Sequence, residues 1–189
     1  MHWPKIPGNK THSLLLFLFI TCACSHREQP QLSEEEIKQT EEALIGANRL
    51  MIQKDREKIV NYINSHHLAM NESASGLWYG IGKQGAGKQV QKGSVVSLGY
   101  SLTLLDGTVC YNSDSLGLKE FIVGRGGVES GLEEGVLLLK EGARATFILP
   151  PHLAHGLVGD GNRIPARSVI VYQVDLLHVE ITDNETPMH

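Results

Sequence analysis

The longest regular pattern in the chain begins at Ser33. Apolar residues recur at Ile37, Leu44 and Met51, and in an adjacent row at Ile45, Ile52 and Ile59, with Val60 and Ile63 beside them. Two rows of sevenfold spacing make one apolar stripe and predict a helix over 33–64, within a segment spanning 33–65. Ser33 with Glu36 three residues on is a capping box, and the acidic run Glu34-Glu35-Glu36 complements the helix dipole. Gly46 is the only glycine in the run, and no proline interrupts it. The stripe has two uses open to it. It can pack on the rest of the chain, or 33–64 can form the seam of a homodimer.

The pattern changes after residue 65. The stretch 66–75 is polar and unpatterned, which predicts a linker. From Leu77 the spacing is that of strands and tight turns. Leu77-Trp78-Tyr79-Gly80-Ile81 opens a β region, and 82–87 is a glycine-rich turn. Val95 to Leu104 reads as a strand, Asp106-Gly107 as the turn of a hairpin, and Thr108 to Asn112 as the return. Asn112 to Ser115 reads as a loop and Lys119 to Val123 as a short strand ending at Gly124. Ser130 to Leu139 reads as a short helix, with Leu132, Val136 and Leu139 on one face. Ala143 to Leu149 and Ser168 to Val179 are two longer strands, joined by a long loop over 150–166. The sum is an α+β chain: strands gathered around one short helix in 76–181, preceded by a long N-terminal helix, with a short tail at 182–189.

The first 32 residues read as targeting sequence. Lys5 and Lys10 precede the apolar run Leu14 to Ile20. That run is shorter than the roughly 20 residues a membrane-spanning helix needs, and it suits a signal-peptide core. Cys22 and Cys24 follow it. Cys24 lies between Ala23 and Ser25, which resembles a bacterial lipoprotein cleavage site with Cys24 lipidated. The expectation is a signal peptide over 1–23, a tether over 24–32, and a protein lipid-anchored in the cell envelope facing the periplasm. Cys110 would then be the one remaining thiol, so no internal disulfide is expected. A formal net charge of −4 gives no reason to propose a nucleic-acid partner. His152 and His155 are three apart in a loop without further ligands, so neither a metal nor a cofactor is expected.

One ordered set of residues carries a stronger signal. It runs Tyr100, Asp106-Gly107, Phe121-Ile122-Val123-Gly124, Gly131-Leu132-Glu133-Glu134-Gly135, Leu149-Pro150-Pro151, Ala154-His155-Gly156, Ile164-Pro165 and Val171 to Leu177. At these spacings it resembles the FK506-binding-protein (FKBP) type of peptidyl-prolyl isomerase. The resemblance implies a twisted antiparallel sheet wrapped on one short helix. It also implies action on X-Pro bonds of unfolded or exported proteins. Such a site needs no nucleophile; it must bind the twisted amide better than the planar one, in a concave and largely apolar pocket.

By the same resemblance Tyr100, Phe121, Val128 and Tyr172 line the pocket, with Ile164 beside them. Several positions depart from the family pattern. Cys110 stands where the family has a phenylalanine, Tyr111 where it has an orienting aspartate, and Leu132 where it has the tryptophan of the pocket floor. Glu129 replaces an apolar residue whose backbone amide meets the ligand. His155 replaces a tyrosine donor, and Arg163 an apolar loop residue. These departures predict a weak isomerase; the alternative is a non-catalytic chaperone or assembly module on the same scaffold. Pro151-His152-Leu153-Ala154-His155-Gly156, with the lipoprotein start, is similar to the gliding-motility-associated FKBP-type lipoproteins of the Bacteroidetes.

Overall fold

The structure, a computed structural model, describes residue 2 and residues 33–181. The expected signal peptide, Cys24, the tether and the 182–189 tail lie outside the described residues. The chain divides into two packing units, 1–41 and 42–189. The described part of the first unit is dominated by the start of helix α1 (Glu34–Ser65). The capping box is formed there: the Ser33 amide donates to Glu36 Oε2 at 2.8 Å, and the Glu36 amide donates to Ser33 Oγ at 3.3 Å. The Ser33 amide, and then the Ser33 hydroxyl donating to Glu36 Oε2 at 2.9 Å, hold the Glu36 carboxyl below its ordinary pKa.

In the second unit the strands are β1 (Asn71–Glu72), β2 (Trp78–Lys83), β3 (Val95–Leu104), β4 (Val109–Asn112), β5 (Lys119–Ile122), β6 (Arg144–Leu149) and β7 (Ile170–Glu180). Among the described residues they form one antiparallel sheet in the order β1-β2-β6-β7-β3-β4. The far edge of β3 is shared: β4 pairs with its second half and β5 with its first. Two short helices, α2 (Ser113–Leu116) and α3 (Ser130–Val136), complete the unit.

Alternation along β6 and β7 gives the sheet two buried faces. Ala145, Phe147 and Leu149, with Ile170, Tyr172 and Val174, join the main core under α3. Ile148 and Val171 point the other way, into a smaller cluster with Ile59 and Ile63 of α1. Helix α3 reaches the sheet closely because its contact face carries glycines four apart. A Cβ on Gly131 would stand 2.6 Å from Leu149, and one on Gly135 would stand 2.8 Å from the Phe147 ring.

The stripe on α1 is used in part. Only Asp55, Ile59 and Ile63 are buried, whereas Leu44, Ile45, Leu50 and Ile52 are exposed. Burying the two isoleucines contributes about 1.5–3 kcal/mol each at most. Asp55 anchors the helix by accepting from Arg167 Nη2 at 2.7 Å.

Two expectations are corrected. The 66–75 segment is not a free linker, since β1 pairs with Trp78 and Tyr79. Leu68 and Met70 pack into the smaller cluster, and Arg56 holds Glu72 at 2.8 Å; two apolar residues in a polar stretch were enough to dock it. The 112–115 loop is helix α2, because the Asn112 side chain accepts from the Ser115 amide at 2.9 Å and caps it.

Candidate functional site

Tyr100 on β3 and Tyr172 on β7 stand on neighbouring strands. Tyr172 pairs with Leu102, two residues along the same face from Tyr100. Their ring centroids are 6.0 Å apart and tilted by 49°. The Tyr172 side chain is fully buried, and its hydroxyl meets a carboxylate, donating to Glu129 Oε1 at 2.9 Å. Glu129 precedes α3, and the helix leaves it aimed at the sheet with only 6% of its side chain exposed. Burial and the Glu129 charge together push the Tyr172 phenol far above its ordinary range, so it stays a neutral donor. The Tyr100 phenol is raised by the same two causes, in the same order.

Two further groups converge on Glu129. His155 Nε2 lies 3.0 Å from Oε1, so that nitrogen carries the proton and donates. Lys119 Nζ is 3.6 Å from Oε2 and donates to the Tyr172 hydroxyl at 2.9 Å. The same ammonium lies 5.1 Å from the Tyr100 ring centroid and 5.3 Å from that of Tyr172. Glu129 Oε2 is buried and has no hydrogen bond. The centre of the site is thus two aromatic rings holding a cation, over a buried carboxylate.

A second cluster fixes the loop between β6 and β7, which follows a single 3-10 turn at Pro151–Leu153. Asp160 Oδ1 accepts from the amides of Asn162 at 2.9 Å and Ile164 at 2.8 Å. Its other oxygen accepts a short hydrogen bond from Tyr111 of β4. Burial pushes the Asp160 carboxyl up, but Tyr111, the two amides and His155 together outweigh it and bring it down to about 2. Arg163 stacks 5.6 Å over the Tyr111 ring and donates to the Cys110 carbonyl at 2.9 Å. The Cys110 thiol faces the Arg163 carbonyl at 3.5 Å and is raised by burial, then by Asp160 and Asp106.

Of the residues singled out in the sequence, the fold brings Tyr100, Glu129, His155 and Tyr172 together. Tyr111 and Cys110 belong to the loop-fixing cluster beside them. Phe121, Leu132 and Ile164 are core residues, and Val128 is half-buried against that core. Lys119, two residues before Phe121 on the same face of β5, lies over the ring pair. His155 does not offer Nε2 outward, since Glu129 takes it. Sequence reasoning missed Lys119 and Asp160. Period-two spacing back from Phe121 could have found the first. The Asp160-Gly161-Asn162 turn signal could have found the second. His152 plays no part, its Nε2 lying 2.9 Å from the Ser75 carbonyl.

Residues 86–177 match the model of a family described as FKBP-type peptidyl-prolyl cis-trans isomerase. The chain is similar to a probable FKBP-type peptidyl-prolyl cis-trans isomerase FkpA of Neisseria meningitidis serogroup B, at 34% identity over 79% of this chain and 61% of the relative. It is also similar to FkpA of Aeromonas hydrophila, at 35% identity over 62% of this chain and 43% of that one. The chain therefore spans less than two thirds of either relative's length. Among solved structures it is similar to FkpA from Escherichia coli, with a TM-score of 0.58 and 28% identity over 80% of this chain and 75% of that chain. It is also similar to AtFKBP13, with a TM-score of 0.56 and 27% identity over 59% of this chain and 99% of that one.

Proposed function

We propose that the chain isomerises X-Pro bonds in unfolded or exported proteins, a reading supported by the match of residues 86–177 to the model of FKBP-type peptidyl-prolyl cis-trans isomerases. The observation that carries the reading is the Tyr100–Tyr172 ring pair, 6.0 Å between centroids, over which a prolyl ring can stack once the Lys119 ammonium moves off. The uncatalysed barrier of about 18–20 kcal/mol comes from amide resonance. A wall that favours the twisted amide lowers it without covalent chemistry.

Turnover is weak on this reading. Cys110 and Leu132 lack the apolar area of the aromatics they replace, roughly 1–3 kcal/mol each, which is one to two decades of rate per position. Lys119 and Glu129 add charges that a prolyl ring must displace or cover. A protease-coupled prolyl-peptide assay on the full chain, with Tyr172→Ala alongside, tests this. A rate above background that falls in the variant supports it; equal rates at background reject it.

A specific observation favours the second reading, a chaperone or assembly module that holds extended segments. Leu157 and Val158, just past His155, are 70% and 82% exposed, an apolar loop tip beside a site whose Tyr172 is covered. In this reading the Leu157→Ser/Val158→Ser variant loses suppression of client aggregation while prolyl turnover is unchanged.

We further propose a lipid anchor at Cys24 in the cell envelope, facing the periplasm, and kinship with the gliding-motility lipoproteins of the Bacteroidetes. Loss of acyl label in Cys24→Ser tests the anchor. The exposed Leu44, Ile45 and Ile52 support a homodimer through 33–64. Sedimentation of a Leu44→Glu/Ile52→Glu variant tests it, the monomer being expected.

A further inference from the structure

The ring pair that would receive a prolyl ring already holds the chain's own cation. The Lys119 ammonium sits over both tyrosines and donates to the Tyr172 hydroxyl. A prolyl ring can stack there only if the ammonium leaves, and it then gives up two ring contacts, one hydrogen bond and its 3.6 Å approach to Glu129. A segment with apolar neighbours beside its proline offers nothing in return. A segment with a carboxylate beside its proline offers a charge-assisted hydrogen bond, the strong kind.

The geometry points to Lys119 as the specificity-determining residue of this site, and to prolyl segments with an acidic residue directly before the proline as its substrate class. This rests on the prolyl-binding reading above. The reach is sufficient. Adjacent Cα atoms are about 3.8 Å apart, and Lys119 Nζ is within 5.3 Å of both ring centroids. A glutamate or aspartate preceding a stacked proline therefore meets the displaced ammonium.

A basic residue in the same place fares badly. It meets the Lys119 ammonium first, and it reaches Glu129 Oε2 only by displacing that ammonium. Exposed Arg163 adds a second cation on the loop side. Asp160 keeps its negative charge but directs both oxygens to Tyr111 and two backbone amides. Glu129 keeps both donors on Oε1 after Lys119 moves, so what it gives up is the 3.6 Å ion pair at Oε2.

The test uses three prolyl peptides that differ only in the residue before proline: Glu, Leu or Lys. Affinity is read by NMR titration, and cis–trans exchange on the same samples, for wild type, Lys119→Met and Lys119→Met/Glu129→Met. The double variant removes both charges and answers the question if the single one fails to fold. Wild type is expected to bind the Glu peptide roughly tenfold more tightly than the Leu peptide, with Lys weakest. The Glu-to-Leu ratio is expected to fall to about one without Lys119. Equal or reversed ranking in wild type overturns the proposal, as does a ratio that survives the loss of Lys119. Acid-ranked binding without faster exchange leaves the specificity standing and rejects the isomerase. Faster exchange without acid ranking does the reverse, and no binding by any peptide rejects both.

Discussion

Replacing Lys119 with methionine should cost more stability than replacing both Lys119 and Glu129. The reason lies in which group each variant strands. Lys119 is 3.6 Å from Glu129 Oε2, and the two side chains are 24% and 6% exposed. At an effective dielectric near 20, unit charges at that distance attract by about 4–5 kcal/mol. Partial exposure of the lysine reduces this, so Lys119→Met should cost about 2–4 kcal/mol, as a nearly buried carboxylate loses its cation. Glu129→Met strands less. The lysine can hydrate, and Tyr172 keeps Lys119 as a hydrogen-bond partner, so about 1–2 kcal/mol is expected. In the double variant no charge is left to desolvate and the straight methionine chains fill the space, so the cost that remains is the buried Tyr172 hydroxyl left without either partner. Its cost should be no more than about 2 kcal/mol, giving a coupling of at least about 1 kcal/mol. Urea unfolding of the four proteins at neutral pH measures this, with equal slopes required. Single-variant costs that add to the double within about 0.5 kcal/mol would refute the buried-pair reasoning.

Three other outcomes follow from separate features. Gly135→Ala should destabilise by about 1–3 kcal/mol, because its Cβ would fall 2.8 Å from the Phe147 ring and force α3 off the sheet; thermal melting checks it, and an unchanged midpoint rejects it. Asp160 has a folded pKa lowered from 3.8 to about 2, so its contribution is present above about pH 4 and is lost as pH falls through 2. Discounted for exposure it amounts to about 1 kcal/mol, so wild type should lose that much more stability than Asp160→Asn between pH 5 and pH 2. Asp55→Ala should cost about 2–3 kcal/mol by stranding Arg167. It should also speed amide exchange at Arg167, whose N–H closes the site loop onto the Gly156 carbonyl at 3.1 Å.

The fold was legible where one residue type repeats a simple demand. Val95 to Leu104 emerges as β3 with both ends as expected, since alternation, length and the Asp106-Gly107 turn agree. That turn closes through the Gly107 amide on the Leu104 carbonyl, with glycine at positive φ. The start of α1 was legible from a capping box, a purely local device. What the helix packs against was not legible. Nothing in a sevenfold stripe says that only its last turns, Ile59 and Ile63, meet Ile148 and Val171 more than eighty residues away. Short elements failed for the opposite reason. Strand β1 and helix α2 are too brief to have a period; the first is held by Arg56 with Leu68 and Met70, the second by the Asn112 cap.

The site was legible as a set of positions and illegible as chemistry. A resemblance in spacing identifies which backbone positions border a pocket, because the sheet and α3 fix them. It does not say what the side chains do to one another once several are exchanged together. Glu129 and His155 each look like a single lost pocket feature when taken one at a time, and Lys119 does not stand out at all. Together they form one bonded set around Tyr172: a carboxylate, two donors, and a phenol that both accepts and donates. Tyr111 and Asp160 similarly make a pair in which the aromatic comes from the strand and the carboxylate from the loop. A charged group entering an apolar pocket alone is costly, and the same group entering with partners is tolerated. These residues are therefore informative only as a group, and the group becomes visible only when the strands bring positions 100, 119, 129, 155 and 172 to one place. That dependence is why the pocket's substrate preference should be sought in the charge beside the proline and not in the area of its apolar wall.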